Sequence, residues 1–360
     1  MRLVRRYGRF AVLVAGVAVA LILPRVLYPP VALDIAAWAL FAVAVDLLLG
    51  YVGLLSFGHA AFWGTSAYTA AIVAAKTGAA FPFAILAGVA AAAVVAVPIG
   101  YLAVRRTGIY FAMVTLAFAQ MLYVLANQLG DVTGGDNGLQ DVPRTLWGVD
   151  LSDPYYFYYW MLPLVGLGLF AAWRIVHSPF GAVLLAIRDN PSRVRALGYP
   201  VHLYKLTAFV LSAALAGLGG GLYAMSHQFV TLDTLQWTTS GQAVVLVVLG
   251  GIGTLWGGVL GSGIVLRLQD YLSLHHFVAP DLIFGGVFIV VVLLFRRGIW
   301  GSAAHLLRPR GPAIRPAETF EPATAPNPTA VTAAAPTDAV AAADTHPPAA
   351  QSGVASVTDQ

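Results

Sequence analysis

From Phe10 to Phe295 the chain is a succession of apolar stretches, each close to the roughly 20 residues that an α-helix needs to cross a bilayer. Inside hydrocarbon every backbone N–H and C=O must be satisfied within the protein, so such stretches are read as helices. The candidate spans are Phe10–Leu27, Val31–Leu49, Gly53–Ala75, Phe83–Val104, Ile109–Leu129, Tyr155–Val176, Leu206–Ser226 and Leu282–Phe295. A further apolar stretch, Gly241–Leu272, is interrupted by Gly250, Gly251 and Gly253. Only 10% of the residues are charged, where a soluble domain carries about 25%. The expected fold is an all-α polytopic membrane protein with about 8 transmembrane helices plus a re-entrant or broken glycine-rich segment.

Charge placement sets the topology, because Lys and Arg collect in loops on the cytoplasmic side. With Arg2, Arg5, Arg6 and Arg9 inside, Arg105, Arg106 and the loop His177–Lys205 also fall inside. The acidic loop Gly130–Pro154 falls outside. Arg296 and Arg297 return to the inside only if Gly241–Leu272 enters the membrane, turns at Gly250–Thr254 and comes back. Both termini are then cytoplasmic. The basic N-terminus is read as a retained first span, since no small-x-small cleavage site follows it. Residues 301–360, rich in Ala, Pro and Thr, have no periodic apolar face and are expected to be disordered. The organisation is therefore a transmembrane domain over 1–300, with a cytoplasmic loop at 177–205, and a tail over 301–360.

Several function classes drop out. The absence of cysteine excludes disulfides, thiolate metal sites and cysteine nucleophiles. The net charge of +4 lies in topology-setting loops and gives no reason to expect a nucleic-acid partner; the bilayer is the expected environment. No metal ligand set and no catalytic group is expected. A phosphate-cradling loop needs Gly-Lys-Ser/Thr, and both lysines, Lys76 and Lys205, follow a non-glycine residue. ATP, if used, is bound by another polypeptide.

The block Gly50–Gly64 places Ser56 and His59 among small residues at membrane depth, close after Asp46. Ionisable residues there mark functional sites by default. Asp46 is expected either to pair with His59 or to sit hydrated near the cytoplasmic end of its span. Ser56 and His59 share a helix face, but no orienting group or oxyanion donor accompanies them as an enzyme would need. An ion-driven carrier is disfavoured because Asp46 stands nearly alone as an intramembrane acid.

With Gly50–Gly64, the blocks Thr107–Gln120, Thr133–Leu139, Ser178–Gly181 with Ala186–Asn190 and Ala196–Gly198, and Leu249–Gly257 follow in order. Together they resemble the permease subunits of branched-chain amino acid ABC transporters, of the LivM type rather than the LivH type. The resemblance implies an importer of leucine, isoleucine and valine in the bacterial inner membrane. Its partners would be a LivH-type second permease, two ATPase subunits that bind ATP-Mg, and a solute-binding protein, with no cofactor in this chain. Urea permeases share part of the first block, so a urea or short-amide importer is the alternative. The implied ATPase-coupling residues are Arg188, Asp189, Asn190, Arg193, Arg195, Ala196, Leu197 and Gly198, with a short helix after Pro191. The implied substrate pathway takes in Asp46, Gly53, Ser56, Gly58, His59, Gly250, Gly251 and Gly253. A zwitterion there needs the free backbone groups of a broken helix, and Phe57, Phe62, Phe111, Met113 and Trp256 are candidates for an apolar wall. Gly134, Gly135 and Asp136 would receive the binding protein.

Overall fold

The computed structural model describes residues 16, 18–274, 285, 286, 289 and 298–301. The candidate span Leu282–Phe295, Arg296 and Arg297, the N-terminal arginines and the tail from 302 on therefore lie largely or wholly outside the described residues. Of the first candidate span, residues 18–26 are described and helical.

The main helices that follow are α1 (Pro29–Tyr51), α2 (His59–Thr77), α3 (Phe81–Ala103), α4 (Ile109–Gln128), α5 (Pro154–Val176), α6 (Pro179–Asp189), α7 (Pro191–Ala196), α8 (Val201–His227), α9 (Trp237–Gly250) and α10 (Trp256–Leu274), with single turns at Gly130–Thr133, Gly135–Asn137 and Leu232–Leu235. Among the described residues, α1, α3, α4, α5 and α8 are long and apolar enough to cross a membrane. Helix α1 is apolar on all sides because it is the centre of the bundle, packed by α5, α8 and α10.

Helix α8 packs on α1, α2 and α3 at once. Small residues let backbones approach closely where lipid gives no hydrophobic drive between helices. Here Gly219 lies against Trp63, and a Cβ at Gly220 would stand 2.1 Å from the Trp63 carbonyl oxygen. Trp63 in turn packs on Phe41 (ring centroids 4.5 Å) and Tyr223 (5.4 Å).

Two of the apolar stretches are broken in the structure. Within the candidate span Gly53–Ala75, whose start the glycines break, the helix begins only at His59. The N–H groups of Val52 and Leu54 both donate to the Leu48 carbonyl, closing α1, and Gly53 takes φ +77 to turn the chain back. The stretch Gly241–Leu272 is two helices joined by residues 251–255. A Cβ at Gly250 would meet Gly257 and one at Gly261 would meet Leu246, a pairing that only an antiparallel hairpin gives. Helix α9 has 14 residues, about 21 Å at 1.5 Å per residue, short of a roughly 30 Å hydrocarbon core. The broken-segment expectation is met.

The loop between α4 and α5 has structure of its own. Thr145–Leu146 (β1) and Val149–Asp150 (β2) form a hairpin through Trp147 and Gly148, both at positive φ, and Leu139 bridges to Val230 just past α8.

The close contact at Gly220 gives a prediction. Gly220→Ala should destabilise the chain by about 1–3 kcal/mol, the usual effect of overpacking. Gly166→Ala on α5, which meets nothing within 4 Å, should be neutral or mildly stabilising. Thermal unfolding of both variants in detergent measures this; equal melting would remove the crossing as a stability determinant.

Candidate functional site

Asp46 lies on the penultimate turn of α1 and is fully buried. Its two carboxylate oxygens accept from the backbone N–H of Gly253 (2.6 Å) and Leu255 (3.0 Å), in the turn between α9 and α10. One side chain thus satisfies two donors that the turn would otherwise leave unpaired. Gly50, one turn later, is forced to be glycine, since a Cβ there would stand 2.5 Å from both Asp46 and the Gly253 backbone.

Arg188, near the end of α6, reaches the same point. Its guanidinium donates to the Gly50 carbonyl, and its aliphatic stem packs over Gly53. A Cβ at Gly253 would lie 3.6 Å from Arg188 Nη1. Two residue groups that the sequence kept apart, one for coupling and one for the pathway, therefore meet in a single junction of Asp46, Gly50, Gly53, Arg188, Gly250, Gly251 and Gly253. The rest of the coupling group is exposed around it. Asp189 sits 3.7 Å from Arg188 Nε, Asn190 caps α7 by accepting from Arg193 N–H (3.0 Å), and Arg195 to Gly198 follow at the surface. The helix expected after Pro191 is present as α7, preceded by the longer α6, which Ser178 caps.

Asp46 does not pair with His59, nor is it hydrated, because the α9–α10 turn occupies it. His59 Nε2 instead lies 2.7 Å from Ser212 Oγ of α8, and that hydroxyl donates to the Ala44 carbonyl (2.5 Å). A hydroxyl has one proton, so His59 is the donor to Ser212 and carries hydrogen on Nε2. Next to it, Ser240 of α9 accepts from Ala60 N–H (2.7 Å) and Ser56 accepts from Gly58 N–H (3.2 Å). The start of α2 is thereby capped by side chains, and Ser56, Gly58 and His59 are all buried. Ser56 and His59 make no nucleophile–base pair. Of the proposed wall, Phe62 and Phe111 are buried, whereas Met113 is 62% exposed.

At the opposite end of α8, Arg144 is buried. It donates to the carbonyls of Ser226 (3.2 Å) and Ser152 (2.6 Å) and to Gln228 Oε1 (3.0 Å), with its guanidinium over Phe157. Burial lowers its pKa from the ordinary value, and Asp150 and Asp153 oppose that shift. Gly134 and Gly135 take φ +78 and +56 in this loop, with Asp136 exposed beside them.

Sequence reasoning passed over Ser212, Ser240, Arg144 and Asp34. Asp34 Oδ1 lies 3.5 Å from His227 Nε2, so Asp46 is not the only acid within α1. A lone polar residue inside an apolar run was the available signal for Ser212 and Asp34, whereas Ser240 lies in the polar stretch Thr238–Gln242 and carried no such signal.

A cleft of about 430 Å³ between α3, α5 and α8 is lined by apolar residues such as Phe83, Leu86, Leu167 and Leu218. It offers a zwitterion no polar partner.

Removing the carboxylate in Asp46→Ala strands two donors, so a loss of about 3 kcal/mol is expected. The chain has no cysteine, so a single Ile252→Cys, at a 48% exposed turn position, reports on the turn directly. Maleimide labelling at that cysteine should accelerate in the Asp46→Ala background and to a smaller degree with Asp46→Asn. Unchanged labelling and melting would show that the turn holds itself.

Residues 30–294 match the family model described as branched-chain amino acid transport system / permease component. The chain is 29% identical over 287 residues to the high-affinity branched-chain amino acid transport system permease protein LivM of Escherichia coli K12, covering 73% of this chain and 67% of that protein. To the Salmonella typhimurium LT2 protein of the same name it is 29% identical over 284 residues, 72% of this chain and 66% of the relative. The match thus spans about two thirds of those relatives' length. It is also 30% identical over 182 residues to the autoinducer 2 import system permease protein LsrC of Klebsiella pneumoniae, 48% of this chain and 52% of that one. No solved structure matches the chain. With most of its length matched and its broken apolar helices in place, this chain belongs to the branched-chain amino acid transport permease family and is a multi-pass membrane protein of the LivM type.

Proposed function

We propose that the chain is one permease subunit of an ATP-driven importer that moves leucine, isoleucine and valine across the bacterial inner membrane. Membership of the family and similarity to the LivM proteins support this substrate class. In this reading a LivH-type permease completes the translocation unit, and two ATPase subunits bind ATP-Mg against α6 and α7. A solute-binding protein delivers the amino acid to the loop around Gly134, Gly135 and Asp136. Both termini, with α6 and α7, lie on the cytoplasmic side.

The observation that carries the mechanism is the hydrogen bond from Arg188 to the Gly50 carbonyl. Arg188 projects from the exposed helix pair that an ATPase would grip, and it ends on the junction where Asp46 holds the α9–α10 turn. A displacement of α6 and α7 therefore pulls on the end of α1 and on that turn together. Asp46, Gly53, Ser56, Gly58, His59, Gly250, Gly251 and Gly253 form the proposed passage. Ser56, Gly58 and His59 are buried in the present arrangement, so the amino acid passes only when the α2 break and the α9–α10 turn part.

The test begins with the tagged chain drawn in mild detergent from its native membrane and assayed for leucine-stimulated ATP hydrolysis with the binding protein added. Co-purifying ATPase subunits with stimulated turnover are expected. Arg188→Ala should retain those subunits and basal hydrolysis while leucine uptake falls by about tenfold or more, a loss of roughly 1.4 kcal/mol in barrier terms. A chain that crosslinks to no ATPase, or one that drives uptake of urea and not leucine, would refute the proposal.

A further inference from the structure

Helix α8 ends on a histidine whose two ring nitrogens both face oxygen. His227 Nδ1 lies 3.2 Å from the Tyr223 carbonyl oxygen and 3.2 Å from Ser226 Oγ. The Ser226 hydroxyl donates its one proton to that same carbonyl, at 2.8 Å, so it offers the ring only lone pairs. Nδ1 therefore carries hydrogen. On the other side of the ring, Nε2 lies 3.5 Å from Asp34 Oδ1 of α1, a buried atom that accepts no hydrogen bond among the described residues. A neutral imidazole with its hydrogen on Nδ1 turns a lone pair toward that carboxylate, and a covered oxygen without a donor is costly. One more proton, on Nε2 or on Asp34, removes both faults. The two side chains are 26% and 29% exposed, so water can deliver that proton.

The surroundings favour a charged ring. A helix C-terminus is the negative end of its dipole and stabilises a cation there. Asp34 of α1 is the carboxylate in contact, and exposed Asp233, past the end of α8, reaches the neighbouring Tyr223 electrostatically together with Asp34. The ring stacks on Tyr223 (centroids 4.1 Å) and stands edge-on to Phe229 (5.6 Å). The opposing charge is Arg144, whose guanidinium is occupied by the carbonyls of Ser152 and Ser226 and by Gln228. The residues flanking His227 also hold the loop between α4 and α5. Val142 N–H donates to the Gln228 carbonyl (2.9 Å), and Leu139 and Val230 exchange N–H···O bonds (2.9 Å each). Whatever fixes His227 to α1 therefore fixes that loop as well.

We infer that Asp34 and His227 form a proton-operated latch at the end of the bundle opposite α6 and α7, tying α1 to the end of α8 and to the loop anchored there. The inference goes beyond the import reading and does not depend on the solute carried. Its sign follows from the geometry. An imidazole changes charge between about pH 5 and 8. With the proton bound, Nε2 and the carboxylate attract; without it, a lone pair faces a negative oxygen. The latch is closed at acid pH and loosens as pH rises.

The experiment reads the distance between α1 and the loop as a function of pH. The chain has no cysteine, so Tyr28→Cys, exposed just before α1, and Gln140→Cys, exposed in the loop, carry a spin-label pair. The full-length chain, with the subunits that co-purify, is placed in nanodiscs for double electron–electron resonance. A narrow, short distance is expected at about pH 5, and a longer-distance population at least about threefold larger at about pH 8.5. His227→Gln and Asp34→Leu should each abolish that response. His227→Lys, whose cation persists through this range, should hold the short distance throughout. A distance that does not change with pH in the otherwise unaltered chain overturns the inference. So does a pH response that survives in any of the three variants, because the proton then binds elsewhere. Leucine uptake enters none of these readings, so failure of the import reading and failure of the latch are told apart.

Discussion

Backbone at membrane depth has no water to fall back on, and an unpaired N–H there is expensive enough to forbid most departures from helix. Among the described residues, two departures meet at one junction, at residues 52–58 and at 251–255. Both departures stand on side chains supplied from distant segments. The Asp46 carboxylate takes the Gly253 and Leu255 donors, and Ser240 takes Ala60. The dependence is mutual: the α1 residue secures the α9–α10 turn, and the α9 residue secures the start of α2. Neither break is stable by its own local sequence, so the two form one unit with α1 between them.

That interdependence also accounts for the glycines in particular places. Gly50 is small because Asp46 and Gly253 meet across it, and Gly220 because Trp63 presents its carbonyl to α8. These are contacts of backbone on backbone or of backbone on a fixed side chain. Nothing flexible lies between the partners to absorb a small displacement.

The sequence made the helices and both breaks legible, because apolar length and glycine clusters are local signals. Pro191 as the start of α7 was legible for the same reason: its fixed φ suits a first helical position. The exact helix start at His59 was not, since it depends on Ser240, which lies 180 positions beyond its partner Ala60. Asp46 was recognised as important and given the wrong partner for the same cause. His59 is close in sequence, whereas Gly253 and Leu255 are brought in only by the packing of α10 on α1. Arg144 looked like one more loop arginine until the ends of α5 and α8 were set around it. Position along the chain reveals which residues are unusual, and tertiary packing decides what each of them touches.

Helix α8 ties these features into a single mechanical element. Its 27 residues, about 40 Å at the helical rise, carry Lys205 near α7, Ser212 at the α2 break, the Gly219–Gly221 crossing, and His227 beside Asp34. Closely packed interfaces change by switching between discrete arrangements rather than by gradual deformation. With Trp63 against Gly219 and Gly220, α8 has no slack to slide past α2 in small steps. A pull at α7 must either leave the bundle as it is or move α8 and the start of α2 together. The same event then disturbs the His59–Ser212 bond, so the break opens as part of a concerted shift. An importer needs that property, because a passage that opened by degrees would leak solute without regard to the state of its ATPase.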